Sequence, residues 1–520
     1  MDDLADTPPA APGPVAQPLS LAHRIRRLGT STAVYILANG LIRGATILLV
    51  PLYTRALKPG DYGVLAVTTS VTYLLTVVLS LSLDSAITRM YFEAESEPER
   101  QRLYTSILVF LLTVPLAAMI VIEILGSSGY LNVFRSVPYS PYLRYACWTA
   151  YLSVFMSLPI GMWVARERPR NVLLLRVLNT ALVVAGGVTL IVALHQGVLG
   201  ALRAALAAAA VTAIVSILIM LRNISRSLSR TLLRGALLFS IPIVPHLLSH
   251  WLLELSDRVV LQNFVNNTKL GLYSLGYTVG GIATLFTSAY GSAVVPIIVS
   301  QLKDPATRHQ VPRLGTYSLV VLTALCLALA LLGGTAVILL TPTAYHPAAS
   351  FVPWIASSYI FVASYMIVSQ GSWFSMRTGW IAVATLGAAI VNVALTLALA
   401  PALGTLAGAV STLVGYAVLA VFQGIVARRL YHIRWEYGRW AKVFVAAGAC
   451  VAVGRVIGDA PSVLGILARC ALVVIGFPLL LSALMFWTGH ERAMARTAAA
   501  RAWSAVAARG RKLGLSPNRG

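Results

Sequence analysis

The sequence predicts an all-α integral membrane protein, and three observations carry the prediction: its composition, the length of its apolar runs, and where its positive charges lie. Of its 520 residues, 58% are hydrophobic and 11% charged, with a mean hydropathy of +0.80. Soluble domains carry about 25% charged residues. Apolar runs of about 20 residues suffice to cross a bilayer as helices. They fall at 30–53, 62–84, 104–126, 142–165, 172–194, 197–221, 235–262, 270–300, 315–341, 351–375, 380–401, 404–427, 441–458 and 462–487, which predicts about 14 transmembrane helices. Lys and Arg gather in alternate loops, as with Arg166, Arg168 and Arg170, then Arg222, Arg226, Arg230 and Arg234, then Arg428, Arg429, Arg434 and Arg439. This positive-inside pattern places both termini in the cytoplasm of a cell membrane protein. It assigns the net charge of +23 to topology and gives no reason to expect nucleic acid as a partner.

Residues 1–22 are rich in Pro and Ala and read as a disordered cytoplasmic tail without a cleavable signal. The first span then carries Tyr35, Asn39 and Arg43 at four-residue spacing. A charge at that depth costs about 2.5 to 3.5 kcal/mol on insertion scales. Arg43 is therefore expected to face an aqueous or anion-containing interior, with a structural contact to a carbonyl or carboxylate as the other reading. The turn ALKPGDYG leads into the second span. Glu93, Glu95, Glu97 and Glu99 alternate in the following loop, where Arg100 and Arg102 favour a solvated surface over a metal site. Glu123, Arg176 and Arg203 lie near span ends, and the deeper Asn179 is expected to join helices.

The seventh span is the most polar of the long runs. A continuous helix from about Arg234 to Phe264 sets His246, His250, Glu254 and Asp257 on one face. That face is expected to line a watery cavity, since ionisable groups avoid hydrocarbon. Pro242 and Pro245, just before it, bend the helix and free carbonyls. The two histidines are spaced like a metal pair, but no third ligand is fixed by spacing, so no metal is expected. Asp257 and Glu254 are candidates for ion coupling or gating, and Asp257 suits a proton or sodium site. Glu254 and Arg258 are also placed to form an intrahelical ion pair.

The second half repeats the first. Tyr62 and Gly63 are mirrored by Gly271 and Tyr273, Asn179 by Asn392, and GVLGAL from Gly197 by GTLAGAV from Gly404, all at an offset of about 210 residues. The predicted organisation is an N-lobe over 23–221 and a C-lobe over 222–430, two pseudo-symmetric six-helix units of the same orientation. Two further helices occupy 431–487. The basic tail 488–520 is partly an amphipathic helix suited to anionic membrane lipids. The four cysteines sit in or beside apolar spans and read as core residues. Trp163, Trp354, Trp373, Trp380, Trp440 and Trp487 fall near span ends, where interfacial aromatics are expected.

Four stretches resemble one family, the Wzx-like oligosaccharide flippases of the MOP superfamily, relatives of the lipid II flippase and the MATE exporters. They are PLYTRALKPGDYGVLAVTTS from Pro51, SLDSAITRMYFE from Ser82, the stretch from Ile241 through SDR at Ser256 to GLYSLGYTVG, and NVALTLALAPALGTLAGAVSTLVGY from Asn392. The resemblance implies twelve core helices in two lobes forming a V, with two extra helices. It also implies a cationic cavity and alternating access that turns a polyprenyl-diphosphate-linked oligosaccharide from the inner to the outer leaflet, with a polymerase and export complex as further partners. Arg43, Asn39, Arg258, His250 and His246 are the residues expected to bind substrate, the two arginines at the diphosphate. A MATE-like exporter of small molecules and a membrane-embedded polysaccharide polymerase or glycosyltransferase are the alternatives. An enzyme is not expected, because no large external loop carries catalytic groups. No nucleotide-binding loop is present either, so an H+ or Na+ gradient is the expected driver in place of a bound cofactor.

Overall fold

The computed structural model describes residues 44, 49–129, 136–303, 306–375, 377, 379–430, 433–489 and 491. The N-terminal tail, most of the C-terminal tail and most of the first predicted span, with Tyr35, Asn39 and Arg43, lie outside the described residues. Among the described residues thirteen helices are long and apolar enough to cross a membrane. They are α1 Pro59–Glu93, α2 Glu97–Ser127, α3 Tyr139–Ala165, α4 Pro169–Ala193, α5 Gly197–Leu221, α6 Arg230–Glu254 and α7 Asn267–Leu302, followed by α8 Arg308–Leu340, α9 Thr343–Phe374, α10 Gly379–Leu403, α11 Leu406–Leu430, α12 Tyr437–Ile457 and α13 Val463–Ala483. Each matches one of the remaining thirteen predicted spans.

Local chemistry sets the helix ends that matter for the site. α1 starts at Pro59, whose fixed φ suits a first turn, and the Asp61 carboxylate accepts the Lys58 amide at 3.3 Å. α7 starts after Asn266, whose side chain accepts the Lys269 amide at 2.9 Å. The repeated glycines before α5 and α11 share one backbone state: Gly197 has φ +58° and Gly404 φ +56°. Only glycine holds that left-handed turn without strain. It folds α4 back onto α5 and α10 back onto α11 as two equivalent hairpins.

Small residues let these helices approach, as lipid-embedded packing requires. A Cβ at Gly186 would stand 3.0 Å from that of Ala204, and one at Gly415 would stand 3.0 Å from that of Asn392. Asn179 takes up the Thr212 hydroxyl at 3.4 Å, whereas the Asn392 amide is buried without a hydrogen-bond partner among the described residues. α12 and α13 pack on α8. At one end this hairpin is clamped by Arg439, which reaches Glu436 and Glu491 at 3.0 Å each. At the other, the Arg469 guanidinium is fully buried, donating to the Ala460 carbonyl at 2.9 Å and lying 3.6 Å from Asp459.

The acidic loop has the solvated, arginine-paired surface expected of it, with Glu97 3.2 Å from Arg100. Glu93 and Glu97 are paired, Glu93 with Arg89 at 2.8 Å and Glu97 with Arg166 at 2.7 Å. Trp163 and Trp440 are buried, and the Trp440 indole donates to the Thr316 hydroxyl at 3.0 Å. Both lie near span ends, as expected, but pack inside the protein. Trp373 and Trp380 are exposed. Cys147, Cys326 and Cys450 are buried free thiols and Cys470 is half-buried.

Candidate functional site

α6 carries the polar row, but it is not one continuous helix. It leaves α geometry first at Ile241–Ile243, beside Pro242 and Pro245. It breaks again at Leu255, with φ −132° and ψ −15°, before a short helix over Ser256–Leu261. The expected single face is therefore divided. His250 is exposed and Glu254 half-buried, with His250 Nδ1 3.6 Å from a Glu254 carboxylate oxygen. His246 is half-buried, and its Nδ1 has no hydrogen-bond partner among the described residues. Asp257 and Arg258, beyond the break, are 2% and 6% exposed. The freed carbonyls explain how the break is tolerated: the Ser256 hydroxyl donates to that of Leu252, and Arg258 Nη1 donates to that of Glu254 at 2.8 Å.

Arg258 thus meets the Glu254 backbone, while its ion pair is with its neighbour Asp257, at 3.0 Å. The other Asp257 oxygen accepts the Tyr273 hydroxyl, and the Arg258 guanidinium lies 4.2 Å over the ring of Tyr277. A buried charge costs several kcal/mol unless paired and hydrogen-bonded. These contacts compensate both ions, and at 6% exposure Arg258 is closed to solvent in this conformation. Among the described residues no group of three or more His, Cys, Asp or Glu gathers as a metal-binding cluster.

Beside this cluster the two halves of the bundle meet. α1 and α7 cross at their first turns with backbone against backbone: a Cβ at Gly63 would stand 2.1 Å from the Asn267 carbonyl oxygen, and one at Gly271 1.8 Å from that of Pro59. The contact is reciprocal, each glycine facing the first turn of the other helix. Further bonds tie the same end. Asn267 donates to the Ser136 carbonyl at 2.9 Å, the Ser136 hydroxyl to Gln262 at 3.1 Å, and the Tyr345 hydroxyl to the Leu57 carbonyl at 3.0 Å. Deeper in, the Trp251 indole of α6 donates to the Ser70 carbonyl of α1 at 2.9 Å.

In the sequence, Gly63 and Gly271 stand out only as marks of a repeat. Their mirrored positions are the available signal, but a repeat does not by itself say that its copies touch. Asp84 escapes sequence reasoning as well. It is half-buried at the start of the segment Leu83–Glu93, just after two left-handed residues, Leu81 and Ser82. No periodic pattern marks that interruption.

The fold has solved counterparts. It superposes on the lipid II flippase MurJ, inward closed conformation, with TM-score 0.67 at 12% identity, covering 90% of this chain and 99% of that one. It superposes on the inward-facing conformation of a multidrug resistance MATE family transporter of the MOP superfamily with TM-score 0.60 at 16% identity, covering 78% and 97%. A point mutant of the Vibrio cholerae MATE transporter VcmN gives 0.55 at 14%, covering 78% and 97%. At these identities the likeness speaks for the fold alone, which this chain shares with the MurJ and MATE structures. A comparison with curated proteins finds no match. The family described as polysaccharide biosynthesis protein matches residues 28–302, more than half of the chain, and takes in α1 to α7 with the glycine crossing and the Asp257–Arg258 pair. The chain belongs to the polysaccharide biosynthesis protein family.

Proposed function

We propose that this protein is a flippase of the cell membrane, turning a polyprenyl-diphosphate-linked oligosaccharide from the cytoplasmic to the outer leaflet for surface polysaccharide synthesis. The observation that carries the reading is membership of a polysaccharide biosynthesis family on a two-half transporter fold. Physics supplies the need for such a protein. Each unpaired hydroxyl or phosphate oxygen of the headgroup costs several kcal/mol in about 30 Å of hydrocarbon. A polar path between two halves removes that cost while the lipid tail stays in the bilayer.

Alternating access needs a contact that can close one end and release it. The reciprocal crossing at Gly63 and Gly271 is such a contact, because at its closest point backbone meets backbone and no side chain stands between the two helices. With the arginine-rich loops on the cytoplasmic side, as the positive-inside rule expects, that crossing lies at the outer end in this reading. Arg43 and Arg258 bind the diphosphate in this reading, with Asn39, His246 and His250 on the sugars. Coupling to an H+ or Na+ gradient runs through Asp257, with Glu254 beside it. A cation on the Asp257 carboxylate releases Arg258 from its 3.0 Å ion pair and hands its charge to the substrate. A polymerase of the export complex takes up the delivered unit.

The test is the sidedness of the lipid-linked repeat unit in cells depleted of this protein, read with a probe confined to the outer leaflet. Completed units trapped on the inner side are the expected result. Completed units still reaching the outer leaflet, with no second flippase present, would refute flipping. Drug-efflux assays would then test the MATE-like reading that the fold also accommodates.

A further inference from the structure

Away from the crossing, the flank of the second half carries a trough with one charged mouth. Two adjoining cavities, of about 360 and 510 Å³, share Pro353, Trp354, Val451 and Arg455. The first lies between α9, α11 and α12, and the second also borders α8 and the turn from α10 to α11. At the mouth the Arg455 guanidinium stands 4.8 Å over the Trp354 ring, and Arg455 makes no hydrogen bond or ion pair among the described residues. Asp459, the acid lining that mouth, is engaged by the buried Arg469 at 3.6 Å. Two guanidinium groups against one carboxylate leave the mouth with an excess of positive charge.

Below the mouth the lining turns apolar, through Val451, Ile360, Leu413 and Phe444. The rings of Phe361 and Phe444 stack at 5.4 Å and separate this stretch from the next hollow along α12. From Arg455 to Phe444 is eleven helical positions, about 16 Å at 1.5 Å per residue. That is half of a hydrocarbon core of about 30 Å, the depth of one leaflet. Gly448 lines the trough, and a Cβ there would meet nothing within 4 Å.

We propose that this trough is a binding site for one anionic phospholipid of the phosphatidylglycerol class, its phosphate on Arg455 and one acyl chain running down to the Phe361–Phe444 pair. The chemistry fits each part. A phosphodiester suits a guanidinium already held by an aromatic face. A chain one leaflet deep fills an apolar slot that helix packing leaves open. The lipid then lies between α12 and the second half and ties the terminal helix pair to it.

The experiment is native mass spectrometry of the full-length protein, extracted in mild detergent and supplied with phosphatidylglycerol or phosphatidylcholine at equal concentration. Wild-type protein is expected to retain one phosphatidylglycerol and little phosphatidylcholine. Arg455→Gln removes the charge, and Gly448→Leu puts a side chain into the slot where its Cβ meets nothing within 4 Å; each is expected to reduce retention about tenfold. Two variants of unrelated chemistry guard against misfolding of either one, with thermal unfolding as the common control. Equal retention of the two lipids, or retention unchanged in both folded variants, would overturn the proposal. So would preferential retention of a polyprenyl phosphate, which would give the trough to the substrate tail, or a dimer abolished by Gly448→Leu, which would give it to a second copy of this chain.

Discussion

At their first turns α1 and α7 are counterparts, each presenting a glycine to the other's backbone, yet further along the two helices are interrupted by different means. α1 breaks at Leu81 and Ser82, both left-handed, with φ 48° and 56°. α7 breaks at Gly281 and Ile282, which keep right-handed geometry, with φ −67° and −55°. A left-handed L-residue costs about 1 to 2 kcal/mol, so the break in α1 is held against local preference by what surrounds it. There a Cβ at Gly161 of α3 would stand 2.8 Å from the Asp84 carbonyl, and the Ser82 hydroxyl bonds that of Ser85 at 3.1 Å. The two helices share the crossing and differ at the break. One half bends at a strained, packed point and the other at a relaxed one.

The largest effect is expected from breaking the shared feature. Gly271→Val puts side-chain atoms where a Cβ alone already lies 1.8 Å from the Pro59 carbonyl oxygen, and Gly63→Val does the same at 2.1 Å from that of Asn267. Neither overlap can be relieved without parting the halves. Both variants are expected to insert and to lose transport, with cysteines placed at positions 60 and 268 becoming accessible to an aqueous thiol reagent. Inaccessible cysteines together with normal transport would mean that the crossing is not a closing contact.

Next comes the buried pair of the second half. Asp257→Ala leaves Arg258 without its carboxylate at 6% exposure, a loss of about 3 to 5 kcal/mol by the behaviour of broken buried pairs. Thermal unfolding in detergent measures it. Asp257→Asn is expected to cost less, because the amide oxygen still accepts from Arg258. Equal stability of Asp257→Ala and wild type would show that Arg258 finds another partner, as the proposed hand-over to substrate requires only when substrate is bound.

A smaller effect belongs to the terminal helix pair, which has no counterpart in the other half. Burial pushes the Glu491 carboxyl up, but hydrogen bonds from the Tyr317 hydroxyl and the Thr488 amide, with the Arg439 charge, hold it below its ordinary value. A depressed carboxyl contributes stability that is present above the unfolded-state pKa and lost as pH falls through the folded one. Attachment of α12 and α13 is therefore expected to be undiminished at neutral pH and to weaken below about pH 4, where unfolded glutamates titrate. Glu491→Ala is expected to cost about 2 kcal/mol, the range for hydrogen bonds to charged groups, and to flatten that acid limb. A limb of unchanged steepness would assign it to other carboxylates.

How far the sequence discloses this arrangement depends on the range of the forces involved. The thirteen described helices are legible because the bilayer imposes a run length that any apolar count detects. The shared state of Gly197 and Gly404 is foreshadowed by their repeated surroundings. The row from His246 to Asp257 is misread because periodicity assumes an unbroken helix, and nothing at Leu255 announces its break, which Ser256 and Arg258 repair by their own bonds. Burial of Trp440 is hidden for a similar reason, since its partner Thr316 is far away in sequence. Arg43 is singled out by depth in its span and lies outside the described residues.

The finest distinction between the two hinges lies at Ser82. In an ordinary helical position alanine is more favourable than glycine by about 1 kcal/mol. With φ at 56° the preference should invert, because glycine carries no Cβ to crowd the following carbonyl. Both Ser82→Gly and Ser82→Ala remove the 3.1 Å bond to Ser85, so the difference between them isolates the backbone term. Ser82→Gly is expected to unfold above Ser82→Ala by the equivalent of about 1 kcal/mol. Gly404→Ala, at φ +56° in the second half, is expected to fall below its wild type by a similar amount. If Ser82→Ala were instead the more stable, α1 would spend its time with residue 82 right-handed. The strained hinge would then describe one state of a moving helix, and the two halves would bend more alike than this conformation shows.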